Sequence, residues 1–156
     1  MQKISSFEVD HTKLEKGLYI SRIDDDIVTY DIRMIKPNSP PFLEIAAIHT
    51  IEHLFATFAR NEYPKNIVYF GPMGCRTGLY LLTKGLEHNE VIKLTQDSMK
   101  FISEFVGEIP GVSEIECGNY LEHDLEKAKE YAKDIHRVLE NWIEQRLDYN
   151  YEENKK

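Results

Sequence analysis

The sequence predicts an α+β domain in which a mainly antiparallel β-sheet packs against helices. Three observations carry that expectation. Two β-branched, partly alternating runs stand near the start, and two short apolar runs flank a glycine-rich turn in the middle. Three longer stretches repeat apolar residues every three or four positions.

Leu18 to Ile23 and Ile27 to Ile35 read as strands, with Asp24-Asp25-Asp26 as the turn between them. Lys36 to Pro41 (KPNSPP) is a loop, since neither a helix nor a central strand tolerates that density of proline. From Phe42 to about Arg60 the spacing of Ile45, Ile48, Ile51, Phe55 and Phe58 predicts a helix, with Pro64 beyond its end. Asn66 to Phe70 is a short buried strand, Gly71 to Gly74 a turn, and Cys75 to Thr83 a further strand. Val91, Ile92, Thr95, Met99, Ile102 and Phe105 predict an amphipathic helix from Asn89 to Gly107, ended by Ile109-Pro110-Gly111. After a short segment holding Cys117-Gly118, Asp124 opens a last helix with the stripe Leu125, Ala128, Ala132, Ile135, Leu139 and Trp142. The order is β-β-α-β-β-α-α. Residues 1–147 form one domain, and 148–156 (DYNYEENKK without its neighbours) read as a polar, frayed tail.

A chain of 156 residues can bury a core without staples. Its net charge of -8 argues against a nucleic-acid backbone as partner, because phosphate binding needs a basic face. No apolar run reads as a signal peptide or a membrane span, so a cytoplasmic location is expected. In a reducing compartment the two cysteines, Cys75 and Cys117, are expected to be free, catalytic or metal-bound.

The stretch IHTIEHL, Ile48 to Leu54, sets three titratable groups in an otherwise apolar helix. His49 and His53 stand at i and i+4, so both rings leave the same face and can hold one metal ion. Glu52 sits beside them, where a carboxylate can move protons at a bound ligand. Hydrogen-bonded core histidines are the plain alternative, but three polar groups in apolar surroundings call for a shared partner. A catalytic tetrahedral site needs a third protein ligand and one open position. Cys75, Cys117, His11, His88, His123 and several carboxylates are available. Cys117 is favoured because Gly118 lets the backbone come close, while His123 and His136 are expected in exposed or capping roles. Cys75 leaves the Gly-Pro-Met-Gly turn next to Arg76, a setting that suits a reactive thiolate. Two thiols and two imidazoles closing a structural site is a further arrangement that spacing permits.

Four blocks, SFEVDHTKLEKG from Ser6, FLEIAAIHTIEHLFATFARN from Phe42, GPMGCRTGLY from Gly71 and ECGNYLEHDLEKAK from Glu116, resemble the LuxS family of S-ribosylhomocysteine lyases, as does YDIRMIKPN from Tyr30. Their order and spacing agree over nearly the whole chain to about residue 140. The resemblance implies a LuxS-like α+β fold and cleavage of S-ribosylhomocysteine to homocysteine and 4,5-dihydroxy-2,3-pentanedione, the autoinducer-2 precursor. It implies a homodimer with two active sites at the subunit interface; the charge and the lack of a long apolar run, not the resemblance, argue against nucleic-acid and membrane partners. One divalent metal per subunit is implied, Fe(II) natively and zinc or cobalt as substitutes, held by His49, His53 and Cys117. Cys75 is then the general acid and base, Glu52 a second one, and Ser6, His11 and Arg33 substrate contacts.

One departure bears on the substrate. Members of the family usually carry an acidic residue three positions before the Pro-Met-Gly-Cys stretch and a serine just before its proline; Tyr69 and Gly71 stand there in this chain. The loop between Arg33 and His49 is also slightly shorter. Tyr69 is therefore a substrate-binding candidate that offers a phenol where a charge is expected, which opens a second reading: a LuxS-like lyase with altered substrate recognition. An inverted-motif zinc peptidase is a more distant rival. It would draw on Glu114 or Glu116 as third ligand and leave both cysteines without a task.

Overall fold

The computed structural model describes residues 1–155. Four strands form one antiparallel sheet in the order β1-β2-β4-β3: β1 (Gly17–Asp24), β2 (Ile27–Arg33), β3 (Ile67–Pro72) and β4 (Gly78–Lys84). Three helices complete the α+β domain: α1 (Ile45–Glu62), α2 (His88–Ser103) and α3 (Leu125–Leu139). The expected order and antiparallel sheet are both present. Asp25 turns the β1–β2 hairpin at φ 54, a left-handed conformation that Asp tolerates better than most residues.

Several boundaries differ from expectation. Helix α1 begins at Ile45 rather than Phe42, because Leu43 N–H donates to the Arg76 carbonyl and holds the chain extended against the 73–77 turn. Gly71 and Pro72 continue β3, and the turn lies one step later: Arg76 N–H bonds Met73 O, and Met73 N–H bonds Gly78 O. Cys75 thus sits on a turn, not on a strand. Trp142 falls three residues beyond α3 and leaves its stripe: it is buried against Tyr19 and donates its indole N–H to Leu18 O at 2.9 Å.

The main core lies between one sheet face and the helices. It holds Leu18, Tyr30, Ile32, Leu79 and Leu81 from the sheet, Ile51, Leu54 and Phe55 from α1, and Met99, Ile102, Ala132 and Ile135 from α2 and α3. Phe55 stacks flat on Phe70 at 4.0 Å, pinning α1 to β3.

The other sheet face is not left to water. Residues after Leu139 return across it, so 148–155 dock where fraying was expected. Tyr149 stacks on Tyr19 at 4.8 Å. Asn154 is 4% exposed, and its amide N–H2 donates to the carbonyls of Arg146 and Asp148. Polar composition misled here: aromatic rings and one amide at turn positions suffice to anchor a segment once their partners surround them.

Candidate metal centre and flanking cavities

One edge of α1 carries the site. Its buried face is Ala47, Ile48, Thr50, Ile51, Leu54, Phe55 and Ala59. His49, Glu52 and His53 lie along the margin of that face and are half-buried. They are not core residues, so each can reach both protein and solvent.

Two backbone carbonyls orient the histidines. His49 Nδ1 bonds Glu122 O and His53 Nδ1 bonds Pro110 O, both at 2.8 Å. A carbonyl only accepts, so each Nδ1 carries the hydrogen and each Nε2 keeps its lone pair. Gly111 allows the Pro110 approach: it sits at φ +76, and a Cβ there would lie 3.2 Å from His53 Nδ1.

Both Nε2 atoms face one sulfur. Cys117 Sγ lies 3.4 Å from His49 Nε2 and 3.8 Å from His53 Nε2. A tetrahedral ion bonded at about 2.3 Å to sulfur and about 2.0–2.1 Å to nitrogen separates those atoms by roughly 3.6 Å. The two separations bracket that value. The histidine rings stand 4.7 Å apart between centroids and are inclined by 86°, so they are not stacked on one another. The three donors fit one divalent ion. Gly118 plays no part in the approach, contrary to expectation, since a Cβ there would meet nothing within 4 Å.

His123 is a fourth potential donor, within 4.8 Å of the other three. Instead of capping at the surface, it is half-buried and stacked on His49, with centroids 4.0 Å apart and planes inclined by 22°. Two nearly parallel rings in contact cannot both aim in-plane lone pairs at one ion at bonding distance. As arranged, His123 stacks against His49, and the donors that converge are His49, His53 and Cys117. Burial, with a smaller contribution from the neighbouring His49 and His53, pushes the His123 imidazole down to about 4, so it is neutral at pH 7. Its Nδ1 lies 3.0 Å from Thr50 Oγ1, which also accepts from Asp124 N–H at 3.0 Å and reaches Ala46 O at 3.1 Å. Asp124 in turn caps α3, accepting from Lys127 N–H. Thr50 is thus a hub joining α1 to α3, and only its place beside His49 hinted at it.

Two cavities open at the cluster. One, of about 430 Å³, is lined by Glu52, His53, Arg60, Tyr69, Phe70 and Gly111 among others. The second, of about 270 Å³, is lined by Ile48, His49, Glu52, Met73, Gly74 and Arg76 among others. Glu52 borders both. Cys75 is exposed on the turn between Gly74 and Arg76, beside the second cavity. Its Sγ lies 3.1 Å from Thr77 Oγ1.

Arg33, expected as a substrate contact, is 3% exposed and turned to two protein partners. Its Nε and Nη2 donate to the two Asp31 carboxylate oxygens at 3.1 and 2.6 Å, and its Nη1 donates to Thr77 Oγ1 at 2.7 Å. Burial works against this charge, but Asp31 outweighs it and holds the guanidinium above its ordinary value. Because a guanidinium only donates, Thr77 Oγ1 accepts from it and has its own hydrogen free for the Cys75 sulfur. Tyr69 is 54% exposed, and its ring folds across Gly71: a Cβ at 71 would stand 2.6 Å from two ring carbons. Tyr69 and Gly71 are therefore one feature rather than two.

Ser6 and His11 lie elsewhere. Ser6 is in a short 3-10 turn (Ser5–Phe7) and His11 bonds Val9 O at 2.8 Å; neither lines a cavity at the cluster. Glu114 and Glu116, which a zinc peptidase would need, are outside the donor group. No helix among the described residues is long and apolar enough to cross a membrane.

The family described as S-Ribosylhomocysteinase (LuxS) matches residues 4–146. Three relatives carry the name S-ribosylhomocysteine lyase. That of Clostridium acetobutylicum is 47% identical over 156 residues, covering 96% of this chain and 99% of its own. That of Phocaeicola vulgatus is 48% identical over 157 residues, covering 96% and 98%. That of Borreliella burgdorferi strain B31 is 47% identical over 156 residues, covering 96% and 99%.

Proposed function

The chain belongs to the S-ribosylhomocysteinase (LuxS) family, and from that premise we propose how its own residues carry out the reaction. The protein is a carbon–sulfur lyase that cleaves S-ribosylhomocysteine. The products of the proposed route are homocysteine and 4,5-dihydroxy-2,3-pentanedione, the autoinducer-2 precursor on which quorum signalling draws. The single observation that carries the reading is the convergence of His49 Nε2, His53 Nε2 and Cys117 Sγ at separations that suit one tetrahedral ion.

Two imidazoles and one thiolate are a donor set shared by iron(II), cobalt and zinc, and Fe(II) is proposed as the native ion, one per subunit. When bound, such an ion supplies Lewis acidity to neighbouring sugar oxygens and so stabilises negative charge that develops between them. The bond to be broken lies too far from the ribose aldehyde to be labilised at once, so the carbonyl moves along the sugar by two proton transfers. Cys75, on the turn beside the His49 cavity, takes a proton from one carbon and returns it to the next. Thr77, whose Oγ1 lies 3.1 Å from that sulfur, holds it in place. Once the carbonyl stands two carbons from the thioether carbon, the proton between them is acidic. Glu52, which borders both cavities, helps remove it, and homocysteine leaves by β-elimination.

The homodimer belongs to the same proposal. Ser6 and His11 do not line the cavities of their own chain, and a second copy supplies them across the interface. Ile4, Phe7 and Ile45 are exposed apolar residues available for that contact. The metal determined after anaerobic purification, together with homocysteine release followed by a thiol dye, tests the reading. Cys75→Ala is expected to keep the metal and lose turnover. Full turnover in that variant would remove the acid–base role.

A second reading is favoured by Tyr69. The phenol folded over Gly71 presents a neutral group at the rim of the Glu52–His53 cavity, where the amino-acid end of the substrate would extend. It can hydrogen-bond an ammonium without offering full charge, so recognition of that end is altered rather than lost.

A further inference from the structure

The second half of strand β2, Tyr30 to Arg33, is buried on both faces, and the two faces differ in kind. Tyr30 and Ile32 meet the helices, whereas Asp31 and Arg33 point the other way as an ion pair, 1% and 3% exposed. That second face would be open but for the chain's end. Trp142 and Tyr149 pack on Tyr19, the β1 neighbour of Asp31, and Tyr149 donates its hydroxyl to Asp31 Oδ2 at 2.7 Å. Burial and the Asp31 carboxylate push the Tyr149 hydroxyl up, so it stays protonated and remains a donor. An exposed ion pair is screened and worth little; a buried one depends on every hydrogen bond around it. The pair here is continuous with the thiol. Tyr149 donates to Asp31, Arg33 donates to Asp31 and to Thr77, and Thr77 Oγ1 lies 3.1 Å from the Cys75 sulfur, with its hydrogen free to donate when that sulfur is a thiolate.

We propose that Tyr149, in the segment beyond the last helix, is a positioning residue for Cys75: acting through Asp31, Arg33 and Thr77, it fixes the hydrogen bond that the sulfur receives. The end of the chain is then a latch that completes the site from behind the sheet. This rests on Cys75 as the acid–base group, but it is measurable without turnover. Only the thiolate alkylates, and a donated hydrogen bond stabilises it, so the rate reads the sulfur's environment. No bond to carbon forms or breaks at Tyr149, and no proton need leave it.

The test is the rate at which iodoacetamide modifies Cys75 at neutral pH, followed by peptide mass in the metal-loaded protein, beside kcat and KM for S-ribosylhomocysteine. Tyr149→Phe is expected to slow alkylation and lower kcat by about fivefold, the scale of one ordinary hydrogen bond, with KM and metal content unchanged. Removing residues 149–156 should slow both further. Tyr19→Phe keeps the stacked ring but loses the bond to Glu15 O, and should lower thermal stability while leaving alkylation alone. Wild-type alkylation in Tyr149→Phe, whatever its melting temperature, overturns the inference, as does equal slowing in Tyr19→Phe. Turnover surviving Cys75→Ala would instead overturn the acid–base reading, and the alkylation result would stand apart from it.

Discussion

Replacing Thr50 by valine probes how the metal-binding helix is held to the rest of the site. Valine matches threonine in shape and has similar helix propensity, so the change removes little besides the hydroxyl. Thr50 is fully buried, and that hydroxyl serves His123 Nδ1 and Asp124 N–H, both at 3.0 Å. A buried polar group left without a partner costs about 1–3 kcal/mol. His123 and Asp124 are half-buried, so water restores part of the loss, and a total of about 2–3 kcal/mol is expected. For a chain of this length that lowers Tm by roughly 5–10 °C. Freed from Thr50, His123 no longer braces His49 by stacking, so metal affinity should fall about tenfold, the lower end for an outer-sphere partner. Thermal unfolding of the apo protein gives the first quantity and chelator competition gives the second. A variant that melts within about 2 °C of the parent, with unchanged affinity, would refute the hub.

Glu52→Gln is expected to cut kcat by about a hundredfold or more while the metal stays bound, the scale of a lost general acid or base; near-normal turnover would contradict its role. Cys117→Ala should release the ion, lowering affinity by more than about a hundredfold, the most that an outer-sphere change costs. Retention of the metal would turn attention to another third ligand. Tyr69→Asp is expected to tighten S-ribosylhomocysteine binding, read as a lower Kd by calorimetry; weaker binding would show that the phenol suits the substrate better than a charge. Gly71→Ser should push the Tyr69 ring away, so its effect on Kd ought to vanish in a Tyr69→Ala background. Additive effects would mean that the two positions are independent.

The order of the elements and the pairing of His49 with His53 were legible because both rest on local period. Residues i and i+4 share a helix face whatever the rest of the fold does. Element ends were less legible, because they are set by partners distant in the chain. Leu43 stays extended through a bond to Arg76, and Gly71 joins β3 through its register with Tyr80. Asp124 was readable as a helix start from its side-chain chemistry, and it caps α3 as expected. The docked segment 148–155 was not readable, since Tyr149 and Asn154 look like ordinary polar-tail residues until Tyr19, Asp31 and Arg146 surround them.

By itself the chain's order of residues determined an α+β domain, one helix carrying two imidazoles and a carboxylate on a shared margin, and a thiol on a tight turn. Only the tertiary structure decided which sulfur meets those imidazoles, that His123 stacks beside the cluster instead of joining it, and that a buried ion pair links the chain's end to Cys75. Hydrogen bonding and hydrophobic period act over a few residues and leave a local signature. The bonds from Cys117 to His49, Tyr149 to Asp31 and Arg33 to Thr77 join positions 68, 118 and 44 residues apart, where only folding brings donor and acceptor together.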